Sequence, residues 1–561
     1  METWKKLFIF FIIIVILKTI LAAFIPTLSA YSDEYFYAKM ARSLFNSQTL
    51  AIHGKEVGFY PPLYPLFLSV SYIFKNMEIV YFFMKLSNAI ISSLIIIPAF
   101  LIGKNITSEK NAFLASLVIG ILPSTFAITP YLLSENLFYV LVLTSIYFVY
   151  KAVQTEEVKY GWITGVFISL AILTKWSAII LIPIPLSLAL WNSIIEKNKF
   201  KIYLSIISRS YLTILLITGL WLLRNARLFG FSLNGIFGSN LVNDITSVTR
   251  VESFLPSLIT WIISYAGYLL IASGIIFGLL AVFGLKNFIG TSLKKGLFAR
   301  LALITIGFFI LVGANHSTGS ILYSSPLPWL TGRPIGRYID TVLPIVILLA
   351  FMVFDQVKSL SGSLIIGSSI FAAFSSILTF APLFPSNNIS LSWLGGLDFL
   401  IKLIHPASMV IIAVILFITT LLFIKFRNIN PRTLLTFLML FFIVSSILSL
   451  AVTFKQAQKW ESNKQIFAVK NLFPKDLNGG IIFDKDSCGD KITSDSDFIC
   501  EGELSTISGF WINQDIKIGD PYDFSDETFK YVFSTRSLPL RDGIRAGIVK
   551  YRGFILYKRF L

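Results

Sequence analysis

Five stretches of this 561-residue chain carry charged side chains of the kind that do chemistry at a membrane surface. The first is Ser32-Asp33-Glu34-Tyr35, two adjacent carboxylates just past a run of about twenty mostly apolar residues, Leu7 to Pro26, long enough to cross a bilayer. A carboxylate emerging at the lipid–water boundary suits general-base work on a substrate held there. Neighbouring residues of a helix do not face each other, so only one of the two should point into a given pocket. A structural reading stands beside this one. Ser32 can cap a helix whose acidic first turn complements the helix dipole, and Tyr37, Ala38, Ala41, Leu44 and Phe45 share one face of an amphipathic helix, with Lys39 and Ser43 opposite. The other stretches are Ser134-Glu135-Asn136, Leu173-Thr174-Lys175-Trp176, Trp221-Leu222-Leu223-Arg224-Asn225 and Gly336-Arg337-Tyr338. Arginine holds phosphate oxygens bidentately, and lysine can hold them as a point charge. Glu135 would be a second acid of the same pocket. The structural alternatives are a helix cap at Ser134, a snorkelling Lys175 and interface anchoring by arginine and aromatic residues.

The elements that must position these residues are membrane helices. The chain is 55% hydrophobic and only 14% charged, with a mean hydropathy of +0.77; soluble domains carry about 25% charged residues. Its apolar runs are helix-length and do not alternate as barrel strands would. Thirteen runs read as spans, beginning near Leu7, Glu78, Ala112, Tyr131, Gly161, Trp176, Leu204, Leu258, Leu297, Thr341, Ser363, Pro406 and Leu434. Short basic connections such as 103–111, 151–160 and 286–296 belong in the cytoplasm, and the longer connections 27–76, 224–257, 315–340 and 382–405 outside. The apolar stretch 61–74 is too short to span and reads as an interfacial helix of the first outer loop. Counting it as a span would invert every later loop. An inside N-terminus and thirteen spans put the C-terminus outside. The first run has a basic start at Lys5 and Lys6 but no clear small-x-small cleavage site, so it reads as a retained anchor. The net charge of +17 follows from basic cytoplasmic loops, with some affinity for anionic lipid, rather than from nucleic-acid binding.

Residues 1–454 therefore form a transmembrane domain. From 455 to 561 the composition shifts to short β-like runs separated by turns, which predicts a small extracytoplasmic α/β or β-rich domain. Cys488 and Cys500 lie there; they could close a disulfide or remain free thiols. The acidic residues Asp484, Asp486, Asp490, Asp495 and Asp497 read as a solvated loop rather than a calcium site. His53, His316 and His405 lack zinc-ligand spacing. The absence of a P-loop, a dinucleotide fingerprint and a nucleophile elbow speaks against an ATP-driven pump.

Taken in order, the motifs resemble the GT-C superfamily of integral-membrane glycosyltransferases, in the branch of the protein mannosyltransferases and lipid A aminoarabinose transferases. The matching pieces are Asp33-Glu34-Tyr35 with Ala38 and Ala41, Tyr60-Pro61-Pro62-Leu63-Tyr64-Pro65, Ser134-Glu135-Asn136-Leu137, Leu173-Thr174-Lys175, Trp221 with Arg224-Asn225 and Phe229-Gly230, and Gly336-Arg337-Tyr338 followed by Pro344. They span roughly the first 350 residues, and the likeness fades after them. The resemblance implies transfer of a sugar from a polyprenyl-phosphate-linked donor to a hydroxyl or amine of a lipid, glycan or protein, on the extracytoplasmic face of the plasma membrane. It implies Asp33 as catalytic base with Glu34 as helper. It places Tyr60, Glu135, Lys175, Arg224, Arg337 and Tyr338 around the donor's phosphate and sugar. Several relatives have lysine where this chain has Tyr60, which puts one phosphate contact in question. The Asp-x-Asp metal pattern of the oligosaccharyltransferase branch is missing, so no metal or other cofactor is expected. The alternative from another class is a flippase or transporter of lipid-linked sugar; two similar halves would favour it, and the sequence shows none.

Overall fold

A computed structural model describes residues 2–29, 32–196, 199–238, 254–318, 335–379, 387–393, 430–474, 477–487, 507–523, 525–539, 544–551 and 554–559. Its helices, in chain order, are α1 Glu2–Ala23, α2 Ser32–Ser47, α3 Leu63–Ser69, α4 Met77–Ser93, α5 Ile96–Ile106, α6 Glu109–Ile121, α7 Pro123–Phe126, α8 Glu135–Thr155, α9 Lys159–Ile172, α10 Pro183–Ile195, α11 Phe200–Phe229, α12 Leu233–Phe237, α13 Phe254–Ala272, α14 Ile276–Phe288, α15 Lys294–Thr318, α16 Arg337–Asp340, α17 Leu343–Phe351, α18 Gly362–Thr379, α19 Pro431–Glu461 and α20 Lys464–Leu472. Strands β1 Ala51–Ile52 and β2 Lys55–Glu56 form a hairpin in the first connection. Strands β3 Gly480–Asp484, β4 Ile516–Gly519, β5 Phe529–Ser534, β6 Ile544–Tyr551 and β7 Phe554–Arg559 form a sheet in the order β4-β3-β5-β7-β6. The β3 strand runs parallel to both β4 and β5, and β7 runs antiparallel to both β5 and β6.

The molecule is thus a helical membrane bundle with a small α/β domain at its C-terminal end, as the composition predicted. Eight helical segments among the described residues are long and apolar enough to cross a membrane, among them Met77–Ile106, Glu135–Thr155, Trp176–Ile195 and Lys294–Thr318. The runs expected from Ala112, Gly161, Thr341 and Ser363 are not among the eight and form α6, α9, α17 and α18. Prolines shape several ends: Pro123 separates α6 from α7, and Pro183 divides the span from Trp176 into a 3-10 turn and α10. The run expected from Pro406 lies outside the described residues, as do Cys488, Cys500, Asp490, Asp495, Asp497 and His405. Asp484 and Asp486 are described and both pair with Arg536; Asp484 is buried and Asp486 about half exposed.

One end of the bundle gathers the first connection and the C-terminal domain. The α3 helix and the 3-10 turn after it return to that end instead of crossing, as the length of 61–74 predicted. Tyr72 Oη donates to the Ala38 carbonyl (2.9 Å), and Trp511 Nε1 donates to Thr27 Oγ1 (3.0 Å). The Tyr81 ring meets Phe510 and Trp511 edge-on at 5.3 and 5.7 Å. The opposite end is tied separately, where Thr107 Oγ1 reaches the Phe351 carbonyl (3.2 Å) and Asn111 reaches Asp355 (3.1 Å). The α2 helix lies in the first connection, as expected, yet it is covered more deeply than its pattern suggests. Lys39, which the pattern put on a polar face, is buried under the C-terminal domain.

Candidate active site

Local structure turns three separate segments toward one point. Asp33 stands in the first turn of α2, and Tyr37, one helical turn on, shares its face. The segment 57–60 carries Tyr60 and is clamped from two sides: Asn225 Nδ2 donates to the Gly58 carbonyl (3.1 Å) and Trp176 Nε1 to the Phe59 carbonyl (2.9 Å). The turn before Trp176 carries Lys175 and is pinned to the loop by Leu63 N–H on the Leu173 carbonyl (2.9 Å). Arg337 sits at the start of α16, where Tyr139 Oη donates to its carbonyl (2.9 Å) and Asn388 Oδ1 accepts from Gly336 N–H (2.9 Å). Gly336 is required by a close approach. A Cβ there would lie 2.3 Å from the hydroxyl of Tyr268, which is itself held on Asp340 at 2.7 Å. Gly336→Ala should therefore cost about 1–3 kcal/mol through overpacking, seen as a lower melting temperature of the purified protein in detergent.

These segments enclose a cavity of about 700 Å³ lined by Asp33, Tyr60, Glu135, Lys175, Arg337 and Tyr338, with Tyr37, Trp176, Asn315 and His316 between them. Glu135 is its electrostatic hinge. The carboxylate is only 1% exposed and its Oε1 lies 2.5 Å from Lys175 Nζ and 3.1 Å from Arg337 Nη1. Lys175 also sits 5.1 Å from the centre of the Tyr338 ring, a cation–π distance. Burial lowers the pKa of Lys175 below the ordinary lysine value, and the Glu135 charge acts in the opposite sense. Asp33 differs from Glu135. Its carboxylate is 28% exposed, its Oδ2 lies 3.8 Å from Arg337 Nη1, and its Oδ1 accepts a hydrogen bond from Tyr60 Oη. The site thus holds one carboxylate locked between two cations and one that faces open space. A locked acid orders cations to receive an anion; an open, oriented one can take a proton.

The structure separates the expected residues. Asp33, Tyr60, Glu135, Lys175, Arg337 and Tyr338 come together, and Glu34 and Arg224 do not join them. Glu34 is fully buried, and its carboxylate accepts from Ser29 N–H (3.0 Å), Ser29 Oγ (2.9 Å) and Leu132 N–H (3.0 Å). It fastens α2 to the segment before α8, because the neighbour of a cavity-facing helical residue must point elsewhere. Arg224 pairs with Glu56, donates to the Val57 carbonyl (3.0 Å) and lies over the Trp221 ring at 4.8 Å. It holds the loop that presents Tyr60 and lines no part of the cavity. Tyr60, expected at the donor's phosphate or sugar, lines the cavity and donates its hydroxyl to Asp33. Tyr60→Phe should lower the turnover of the reaction proposed below about tenfold with little change in KM, because the carboxylate loses its fixed orientation but no substrate contact is removed.

Sequence inspection missed Tyr37, Trp176, Asn315 and His316. Tyr37 had a signal, its four-residue spacing from Asp33. His316 had none, since it reaches the cavity from the far end of α15, where its ring lies tilted at 59° with its centre 4.9 Å from that of Tyr338. One wall is apolar, formed by Leu258 of α13 and Leu311 and Val312 of α15. Leu311 is 47% exposed. Among the described residues, no group of three His, Cys, Asp or Glu side chains is placed to hold a metal.

Residues 60–221 match the family model described as dolichyl-phosphate-mannose-protein mannosyltransferase. That segment contains Tyr60, Glu135 and Lys175, while Asp33 and Arg337 lie outside it. We found no significant match among curated protein sequences. In fold, the chain is similar to ArnT from Cupriavidus metallidurans bound to undecaprenyl phosphate, with a TM-score of 0.59, 12% identity, and coverage of 98% of this chain and 97% of that one. The apo state of the same protein gives a TM-score of 0.56 at 11% identity, covering 99% and 98%. The archaeal oligosaccharyltransferase AglB from Archaeoglobus fulgidus aligns more loosely, with a TM-score of 0.42, 11% identity, and coverage of 93% and 69%. The chain thus has the fold of ArnT, and over residues 60–221 it resembles the dolichyl-phosphate-mannose-protein mannosyltransferase family.

Proposed function

We propose that this protein transfers a sugar from a polyprenyl-phosphate-linked donor to an acceptor hydroxyl or amine. The donor's tail lies along the apolar wall at Leu258, Leu311 and Val312, and its phosphate sits against Lys175 and Arg337. Asp33 takes the proton of the acceptor as its oxygen or nitrogen attacks the anomeric carbon. The bond from that carbon to the phosphate oxygen breaks, and the phosphate leaves with the bonding electrons. Lys175 and Arg337 stabilise the charge that grows on it. Displacement from the face opposite the phosphate inverts the anomeric centre. The cations supply the positive charge the leaving group needs, so the step is written without a metal. Basic connections at the end opposite the cavity favour an active site and a C-terminal domain on the extracytoplasmic face of the plasma membrane, with the N-terminus inside.

One observation carries this reading: a partly exposed carboxylate and a lysine–arginine pair share a cavity that has an apolar wall. The test is purified protein in vesicles with labelled dolichyl-phosphate mannose or undecaprenyl-phosphate-linked sugar and a cell-envelope extract as acceptor. New glycosidic bonds of inverted configuration are expected. Movement of the labelled lipid between leaflets with no new bond would instead favour a flippase.

A further inference from the structure

The helix that carries Asp33 is held on its other side by the C-terminal domain. Asp33 and Tyr37 look into the cavity, whereas Tyr35, Lys39 and Arg42 fall on the opposite half of α2 and meet the segment 507–516. Lys39 Nζ donates to the Ile512 carbonyl at 2.5 Å, and Arg42 Nη1 lies 2.6 Å from Asp515 Oδ1. Ile516 N–H donates to His53 Nδ1 (3.0 Å), and His53 Nε2 is 2.6 Å from Tyr35 Oη. Burial lowers the pKa of His53 to about 4, so at neutral pH the ring is uncharged and its Nδ1 can accept that bond. Lys39 is fully covered, and burial pushes its ammonium well below the usual lysine range. Such a side chain is costly without its partner, and its partner belongs to the C-terminal domain. Ile516 begins β4, so this seam is continuous with the sheet. On the far flank Tyr72 and Glu34 hold the same helix to the bundle.

We infer that segment 507–516 of the C-terminal domain is a positioning element for Asp33, setting the rotation and depth of α2 through Lys39, Arg42 and the His53–Tyr35 pair. The domain then does more than cover the cavity or receive an acceptor: without its seam, α2 presents Asp33 in the wrong place. A misplacement of about 1 Å at a reacting group is enough to cost about 10²-fold in rate. None of the seam residues touches the cavity, so they act through α2 rather than on substrate. This inference rests on Asp33 as the reacting carboxylate, but its structural half can be read separately.

The test is charge reversal of the half-buried ion pair of the seam in the full-length protein: Arg42→Asp, Asp515→Arg and the double swap. Amide hydrogen exchange across 32–47, undecaprenyl phosphate affinity and sugar transfer are measured on each. Either single change should raise exchange in 32–47 about tenfold and lower kcat about 10²-fold, with lipid-phosphate affinity held within about twofold. The double swap should restore both exchange and kcat toward the unmodified values. Unchanged exchange and kcat in the single variants would overturn the inference, as would a double swap that restores neither. If exchange rises and is rescued while Asp33→Asn leaves transfer intact, the seam stands as the determinant of α2 placement and the catalytic role of Asp33 falls.

Discussion

Asp33→Asn is expected to lower sugar transfer about 10²–10⁴-fold, the usual contribution of a positioned general base. Asparagine keeps the size of the side chain and an oxygen for the Tyr60 hydroxyl, so the helix and the cavity wall should survive the change. What is lost is the ability to take a proton. Because Lys175 and Arg337 are set by Glu135 rather than by Asp33 alone, the lipid phosphate should still bind, and its affinity should stay within about twofold. The loss therefore belongs in kcat. Glu34→Gln provides the contrast. Its carboxylate fastens α2 to the backbone of Leu132 and Ser29, so it should reduce thermal stability and lower kcat less than Asp33→Asn does, through the placement of α2 rather than through a lost base.

Glu135→Ala should have the largest effect on stability. The side chain is buried and lies between a lysine at 2.5 Å and an arginine at 3.1 Å. Removing the acid leaves two cations facing each other in a site from which water is partly excluded. Breaking such a buried pair by deleting one partner costs about 3–5 kcal/mol, which should appear as a clear fall in melting temperature. A further consequence follows from linkage. A ligand that binds only the folded form stabilises it in proportion to its affinity, and a phosphate could replace the missing negative charge between Lys175 and Arg337. Undecaprenyl phosphate should thus raise the melting temperature of Glu135→Ala more than that of the unmodified protein. An equal or smaller rise would place the phosphate elsewhere.

Much of this architecture was legible in the sequence because membrane helices declare themselves by length and apolarity. The first connection and the failure of 61–74 to span followed from that rule, whereas the shift expected at residue 455 falls inside α19, Pro431–Glu461. The site residues were legible for a different reason. A charge is expensive near hydrocarbon, so each of Glu135, Lys175 and Arg337 asked for an explanation, and the three explain one another. Two expected residues went astray because spacing does not report rotation or loop path: Glu34 points away from the cavity, and Arg224 is taken by Glu56 across the loop. The seam between Lys39, Arg42 and the C-terminal domain was illegible, since its partners are more than 400 residues apart in the chain. No local pattern distinguishes a lysine in water from one capped by a distant carbonyl.

The central claim is that Lys175 and Arg337, ordered by Glu135, receive the donor's phosphate beside Asp33. The most direct measurement is an experimental structure of the full chain with undecaprenyl phosphate bound. The account predicts phosphate density within hydrogen-bonding distance of Lys175 Nζ and the Arg337 guanidinium, with the prenyl tail leaving past Leu258 and Leu311 and Asp33 facing the vacant side of the headgroup. Phosphate density against Arg224, or anywhere outside the cavity that Asp33 lines, would contradict it.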